Sequence, residues 1–144
     1  MYYAFDQCSV LETVITTGWD VSGVSSFQNT FSHCYNLTSI SPDQWDTSSS
    51  TVTYQMFINC YLFDQDIGVW DVSNVSNMGQ MFHGVTIPTP TYDSILVGWD
   101  AQTLKPNVSF DAGNSKYSSG STADTARSNM INSDGWNITD AGPV

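Results

Sequence analysis

The stretch FDQDIGVWDVSNVSNMGQMF, Phe63 to Phe82, decides the fold. Its second half, WDVSNVSNMGQMF from Trp70, has two upstream counterparts: WDVSGVSSFQNTF, Trp19 to Phe31, and WDTSSSTVTYQMF, Trp45 to Phe57. Trp and Phe stand twelve residues apart each time. A second rhythm puts an apolar or small residue at every third position. It runs Phe5, Cys8, Leu11, Val14; then Phe31, Cys34, Leu37, Ile40; then Phe57, Cys60, Phe63 and, one residue late, Ile67. The period is 26 residues, shortened to 25 in the last unit. Self-similarity at such a period marks a repeat architecture, in which each unit buries its apolar face only by stacking on its neighbours.

Within one unit, the β-branched residues before Trp predict a short strand. Ser22, Ser48 and Ser73 stand where a helix N-cap would be, just after each Trp-Asp pair. Val24, Phe27 and Phe31, like Val75, Met78 and Phe82, recur at i, i+3 and i+7, which predicts about two turns of helix. The middle unit carries this pattern less well, because Ser50 and Thr53 take the first two apolar positions. Neither a lone strand nor so short a helix holds in water, so stacking at about 4.8 Å per strand must supply the stability.

The F-x-x-C-x-x-L-x-x-I rhythm and the unit WDVSNVSNM…MF resemble the 26-residue repeats of bacterial surface proteins, a branch of the BspA-like leucine-rich repeats. The resemblance covers residues 1–85 as repeats. The stretch running from YDSILVGWDAQTL through VSFDAGNSKYSSG to GWNITDAG looks like the closing segment that follows such repeats. The resemblance implies a leucine-rich-repeat-like solenoid that serves adhesion and protein contacts on cell surfaces or virions, without catalysis.

The expected architecture is therefore an α/β repeat. It is a right-handed solenoid of about three coils over residues 1–87, closed by an α/β cap over 88–144 in the same compact unit. Pro88 and Pro90 in TIPTPT predict a stiff extended connector. Tyr92, Ile95, Leu96 and Trp99 then fall at helical spacing, and Val108 and Phe110 alternate as a strand before the turn Gly113-Asn114. Ser121-x-x-Asp124 opens a second helix in the manner of a capping box, Gly135 stops it, and Trp136 to Ile138 reads as a final strand. No such cap precedes the repeats, since Met1 to Phe5 aligns with the late part of a unit. The open N-terminal coil is expected to meet a protein partner, a second copy, or upstream sequence.

Composition narrows the function. The chain has 144 residues and a net charge of −11; thirteen of its fourteen acids are Asp and the other is Glu12. No Lys or Arg occurs before Lys105. Binding of nucleic acid rests on cations that neutralise phosphate, and docking on anionic lipid needs the same, so both are excluded. No apolar run reaches the length of a membrane span, which argues against insertion. MYYAFDQCS lacks the basic and apolar regions of a signal peptide. An extracellular surface or virion location is expected from the resemblance alone.

Three residue columns invite functional readings. Cys8, Cys34 and Cys60 form a ladder, but a column of thiols does not converge on one tetrahedral ion, and burial in the coil interior is expected. Trp19, Trp45 and Trp70 form a second ladder, which exposed would be a sugar platform. Their fixed distance to Phe31, Phe57 and Phe82 places both sets in one core, together with Phe5. Asp20, Asp46 and Asp71 form a like-charge row and a candidate interaction face. Capping of helix starts is their expected role; with Asp64 and Asp66 nearby, the row leaves room for weak Ca²⁺ binding. No cofactor is expected. His33 and His83 fall at different offsets, no H-E-x-x-H or G-x-S-x-G motif occurs, and a non-enzyme is expected. The expected function is structural or adhesive, with a carbohydrate-binding or Ca²⁺-dependent lectin-like module as the alternative.

Overall fold

The computed structural model describes residues 1–41 and 45–144. Its regular elements are two short helices and two short strands, all in the closing part of the chain: α1 (Thr89–Asp100), β1 (Ser109–Asp111), α2 (Thr122–Asn132) and β2 (Asn137–Thr139). β1 and β2 pair in parallel, with Phe110 opposite Ile138. Upstream, neighbouring units join by isolated parallel bridges: Thr13 with Ser39, Ser26 with Val52, and Val52 with Asn77. A further parallel bridge, Met78 with Phe110, joins the last unit to β1.

The repeats contain no helix among the described residues, and the helix expected after each Ser22, Ser48 and Ser73 is corrected to a ribbon of tight turns. The reason lies in where the backbone N–H groups go. Those of Phe27, Asn29, Phe31 and His33 donate to Val52, Tyr54, Met56 and Ile58 in the next unit, over 2.9, 3.1, 3.0 and 2.9 Å. The intervening N–H groups of Thr30, Ser32 and Cys34 donate three residues back, to Phe27, Asn29 and Phe31. An α-helix needs every N–H for the carbonyl four residues back, so alternate cross-unit donation forbids it. Asn29 and His33 also adopt φ of 54° and 59°, and Gln55 and Asn59 repeat this at 55° and 59°. Left-handed residues end a right-handed helix. The arrangement meets the requirement that buried backbone groups be paired. Each unit supplies half of its partners locally and half across the stack.

Side chains follow the same register. Phe5, Phe31, Phe57 and Phe82 stack with ring centroids 5.3, 5.5 and 5.5 Å apart and planes within 5°. Trp45 and Trp70 stack at 5.5 Å and 5°. One hydrophobic cluster runs from Val14 through these columns to Trp136.

In the closing part, Tyr92, Ile95, Leu96 and Trp99 form the buried face of α1, as their spacing predicts. The expected extended connector is corrected: Pro88 is the N-cap of α1 and Pro90 lies in its first turn, where a missing N–H costs nothing. Ser121 caps α2 by accepting from the N–H groups of Ala123 and Asp124. Asp124 reaches back to the N–H of Gly120, one residue before the position a capping box would use.

Hydrogen bonds from α1 and from Gln102 just beyond it seat the closing part on the repeats. The indole N–H of Trp99 donates to the Ile67 carbonyl over 3.1 Å. The Gln102 amide donates to the Trp70 carbonyl and accepts from the Val72 N–H, over 2.8 and 2.9 Å, as a further unit's backbone would. The module is itself locked by Arg127, which grips Asp140 through Nε and Nη2 at 2.7 and 3.2 Å while lying over the Tyr117 ring. Tyr92 donates its hydroxyl to the same carboxylate over 2.9 Å. Burial, with the adjacent Asp140 carboxylate, holds its phenol well above the ordinary range, so it remains a donor.

Candidate functional site

The acidic row is made of three copies of one local structure. Asp20 accepts from the N–H and hydroxyl of Ser22 at 3.1 and 2.6 Å, Asp46 from those of Ser48 at 3.1 and 2.6 Å, and Asp71 from those of Ser73 at 2.9 and 2.6 Å. These are Asx turns. The expected capping of helix starts is thus corrected to capping of turns, since no helix follows. The serine hydroxyl, then the backbone N–H, hold the carboxyls of Asp20 and Asp46 below the usual aspartate range. Asp20 and Asp46 are exposed and Asp71 is half-buried, beside a cleft of about 440 Å³ whose walls include Val69 and Gln102.

Asp64 and Asp66, considered with this row for Ca²⁺, are held by α1. Asp64 accepts from Thr91 over 2.7 Å; Asp66 accepts from Ser94 over 2.5 Å and from the Gly68 N–H over 2.8 Å. Among the described residues no group of three His, Cys, Asp or Glu side chains is placed to hold a metal ion.

The cysteine ladder is laid out along the stack. Cys34 and Cys60 are buried and free, and their thiols donate to the carbonyls of Phe5 and Phe31 over 3.0 Å each. Burial pushes the Cys34 thiol up to about 11 and raises that of Cys60 further, which keeps both protonated and unreactive. Cys8, in the first unit, is half-buried. The tryptophans follow the same gradient: Trp45 and Trp70 are buried, while Trp19 is partly exposed and stacks on Trp45 at 6.4 Å. A sugar platform across all three indoles has no exposed faces to work with at Trp45 and Trp70. Phe31, Phe57 and Phe82 are buried and Phe5 is partly buried. His33 and His83 are not brought together: His33 bonds Ser32, and His83 lies 3.2 Å from Asp111.

Two ladders escaped the sequence reading. Asn29 donates to Gln55, which donates to Gln80, over 3.0 and 2.5 Å, as a row of side-chain amides. Tyr35 and Tyr61 stack outside the core at 5.5 Å and 8°. Both rows keep the repeat spacing, so extending the alignment to polar and exposed positions would have found them.

The structure defines a small α/β domain whose N-terminal part repeats one unit. The chain belongs to the family described as Mycoplasma protein of unknown function, DUF285, whose model matches residues 1–120. That membership is compatible with a non-enzymatic surface repeat role and specifies no function. No curated protein matches the chain. No solved structure matches it either. Among the described residues, no helix is long and apolar enough to cross a membrane.

Proposed function

We propose that the chain is a non-enzymatic structural or adhesion repeat protein of the BspA-like leucine-rich type. In this reading residues 1–87 form a right-handed solenoid, residues 88–144 cap it, and the whole presents a rigid protein-interaction surface on a cell surface or virus particle. One observation carries it: polar groups recur in register and join one unit to the next instead of gathering at one point. The alternate N–H donors and the amide row are of this kind, and the Asp-Ser turns recur in the same register inside each unit.

The partner reading rests on the first unit. Phe5, Cys8, Leu11 and Trp19 are only partly buried, whereas their counterparts Phe31, Cys34, Leu37 and Trp45 are buried. In the same unit Tyr2, Val10 and Ile15 are 62%, 82% and 76% exposed. A surface of that character fits a protein partner, a second copy or upstream sequence.

Two experiments test these readings. Sedimentation over a range of concentrations should show association that Leu11→Glu abolishes; a chain that stays monomeric throughout contradicts self-association. Protease added to intact cells or particles bearing the chain should degrade it, and complete protection there contradicts the surface reading.

A further inference from the structure

The Tyr35–Tyr61 stack ends abruptly. At the equivalent position of the first unit, 26 residues before Tyr35, stands Ser9. Tyr61 covers one face of the Tyr35 ring at 5.5 Å and 8°. Against the other side a cleft of about 460 Å³ opens, lined by Gln7, Ser9, His33 and Tyr35. That volume falls within the range of small-molecule sites.

We propose that this cleft binds a neutral pyranose ring, which stacks on Tyr35 in the place a first-unit aromatic ring would take. The site combines one aromatic face with polar groups of both kinds. The His33 ring stands edge-on to Tyr35, 6.0 Å away at 84°, and its Nδ1 is tied to the Ser32 hydroxyl at 2.7 Å. Nε2 bonds nothing among the described residues and is free for a ligand hydroxyl. Gln7 uses its amide nitrogen on Asp6, which leaves its carbonyl oxygen to accept. The Ser9 hydroxyl is likewise unengaged among the described residues, while its backbone carbonyl accepts from Asn36 over 2.9 Å and ties the cleft floor to the second unit.

An apolar C–H face against a ring, with hydroxyls around its edge, is what a sugar supplies, and amphipathic aromatics suit such a ligand. A hydrophobic side chain of a protein partner would leave the three polar groups unanswered. With a net charge of −11 and no cation in the cleft, an anionic sugar is disfavoured. This site is separate from the buried tryptophan columns and independent of the protein-interaction reading.

The test is two-dimensional NMR of the whole chain titrated with methyl glucoside, methyl galactoside and N-acetylglucosamine, and in parallel with N-acetyltyrosinamide. At least one sugar should shift the Gln7, Ser9, His33 and Tyr35 resonances with a millimolar dissociation constant. Tyr35→Ala should weaken it at least tenfold. Ser9→Tyr, which adds the missing ring at an exposed position, should abolish binding while leaving the melting temperature unchanged or higher. No shift with any sugar at tens of millimolar overturns the proposal. So does binding that survives Ser9→Tyr, or a response to N-acetyltyrosinamide alone, which would assign the cleft to a protein side chain.

Discussion

Replacing Phe57 by Ala probes the stacked aromatic column where it is most completely enclosed. Its ring is fully buried between Phe31 and Phe82, each 5.5 Å away with planes within 5°, and it also meets Phe63 at 4.2 Å. Removing a buried Phe side chain costs about 3–5 kcal/mol, transfer and cavity together. Two stacked partners place this site at the upper end, about 4–5 kcal/mol. Phe5→Ala is the matched control. Phe5 is partly exposed and has one neighbour in its column, Phe31, so about 1–2 kcal/mol is expected, close to the burial of one incomplete side chain. For a chain of this size 1 kcal/mol moves the melting temperature by roughly 2–4 °C, so Phe57→Ala should fall by about 8–20 °C. Urea denaturation followed by tryptophan fluorescence, with calorimetry, measures both variants. Equal costs for Phe57→Ala and Phe5→Ala would refute a column whose energy depends on the presence of neighbours on both sides.

Three further outcomes follow from particular contacts. A Cβ on Gly98 would run into the Gly68 carbonyl oxygen, so Gly98→Ala should push α1 off the repeats. Overpacking of about 1–3 kcal/mol should exceed the roughly 1 kcal/mol gained in helix propensity, and denaturation should show a net loss that Gly23→Ala, with open space around it, does not. Arg127→Met leaves Asp140, 2% exposed at its side chain, with only the Tyr92 hydroxyl and Gly142 N–H; the cost should be about 3 kcal/mol, partly recovered by Arg127→Lys in thermal melts. Carboxyl NMR titration should find Asp20 and Asp46 below the ordinary aspartate value of 3.8, and Ser22→Ala and Ser48→Ala should raise them. Because these groups are held down in the folded state, their contribution to stability is present above about pH 4 and is lost as pH falls through the lowered values.

The spacing of Phe5, Phe31, Phe57 and Phe82 made the stacking register legible, because equal steps between large apolar residues leave few ways to bury all of them. The closing helices were legible for a similar reason, with Tyr92, Ile95, Leu96 and Trp99 tracing one face. What misled was Val24, Phe27 and Phe31. Their i, i+3, i+7 pattern suits a helix, and it equally suits successive turns closed by bonds three residues long. The discriminating signal was His33, Asn59 and Gly84, since residues tolerant of positive φ recur there at one fixed place per unit. The Asp-Ser pairs were correctly read as backbone caps, but the thing they cap is a turn. The Tyr35 cleft was not legible, because its key feature is a missing ring at Ser9.

The central claim is that successive units are joined by alternate backbone N–H groups pointing to the next unit. Through-hydrogen-bond couplings between amide nitrogen and carbonyl carbon, measured by NMR on labelled protein, test it directly. Couplings should link Phe27 to Val52, Asn29 to Tyr54, Phe31 to Met56 and His33 to Ile58. Couplings from these amides to carbonyls four residues earlier would mean helices in the repeats and would contradict the account.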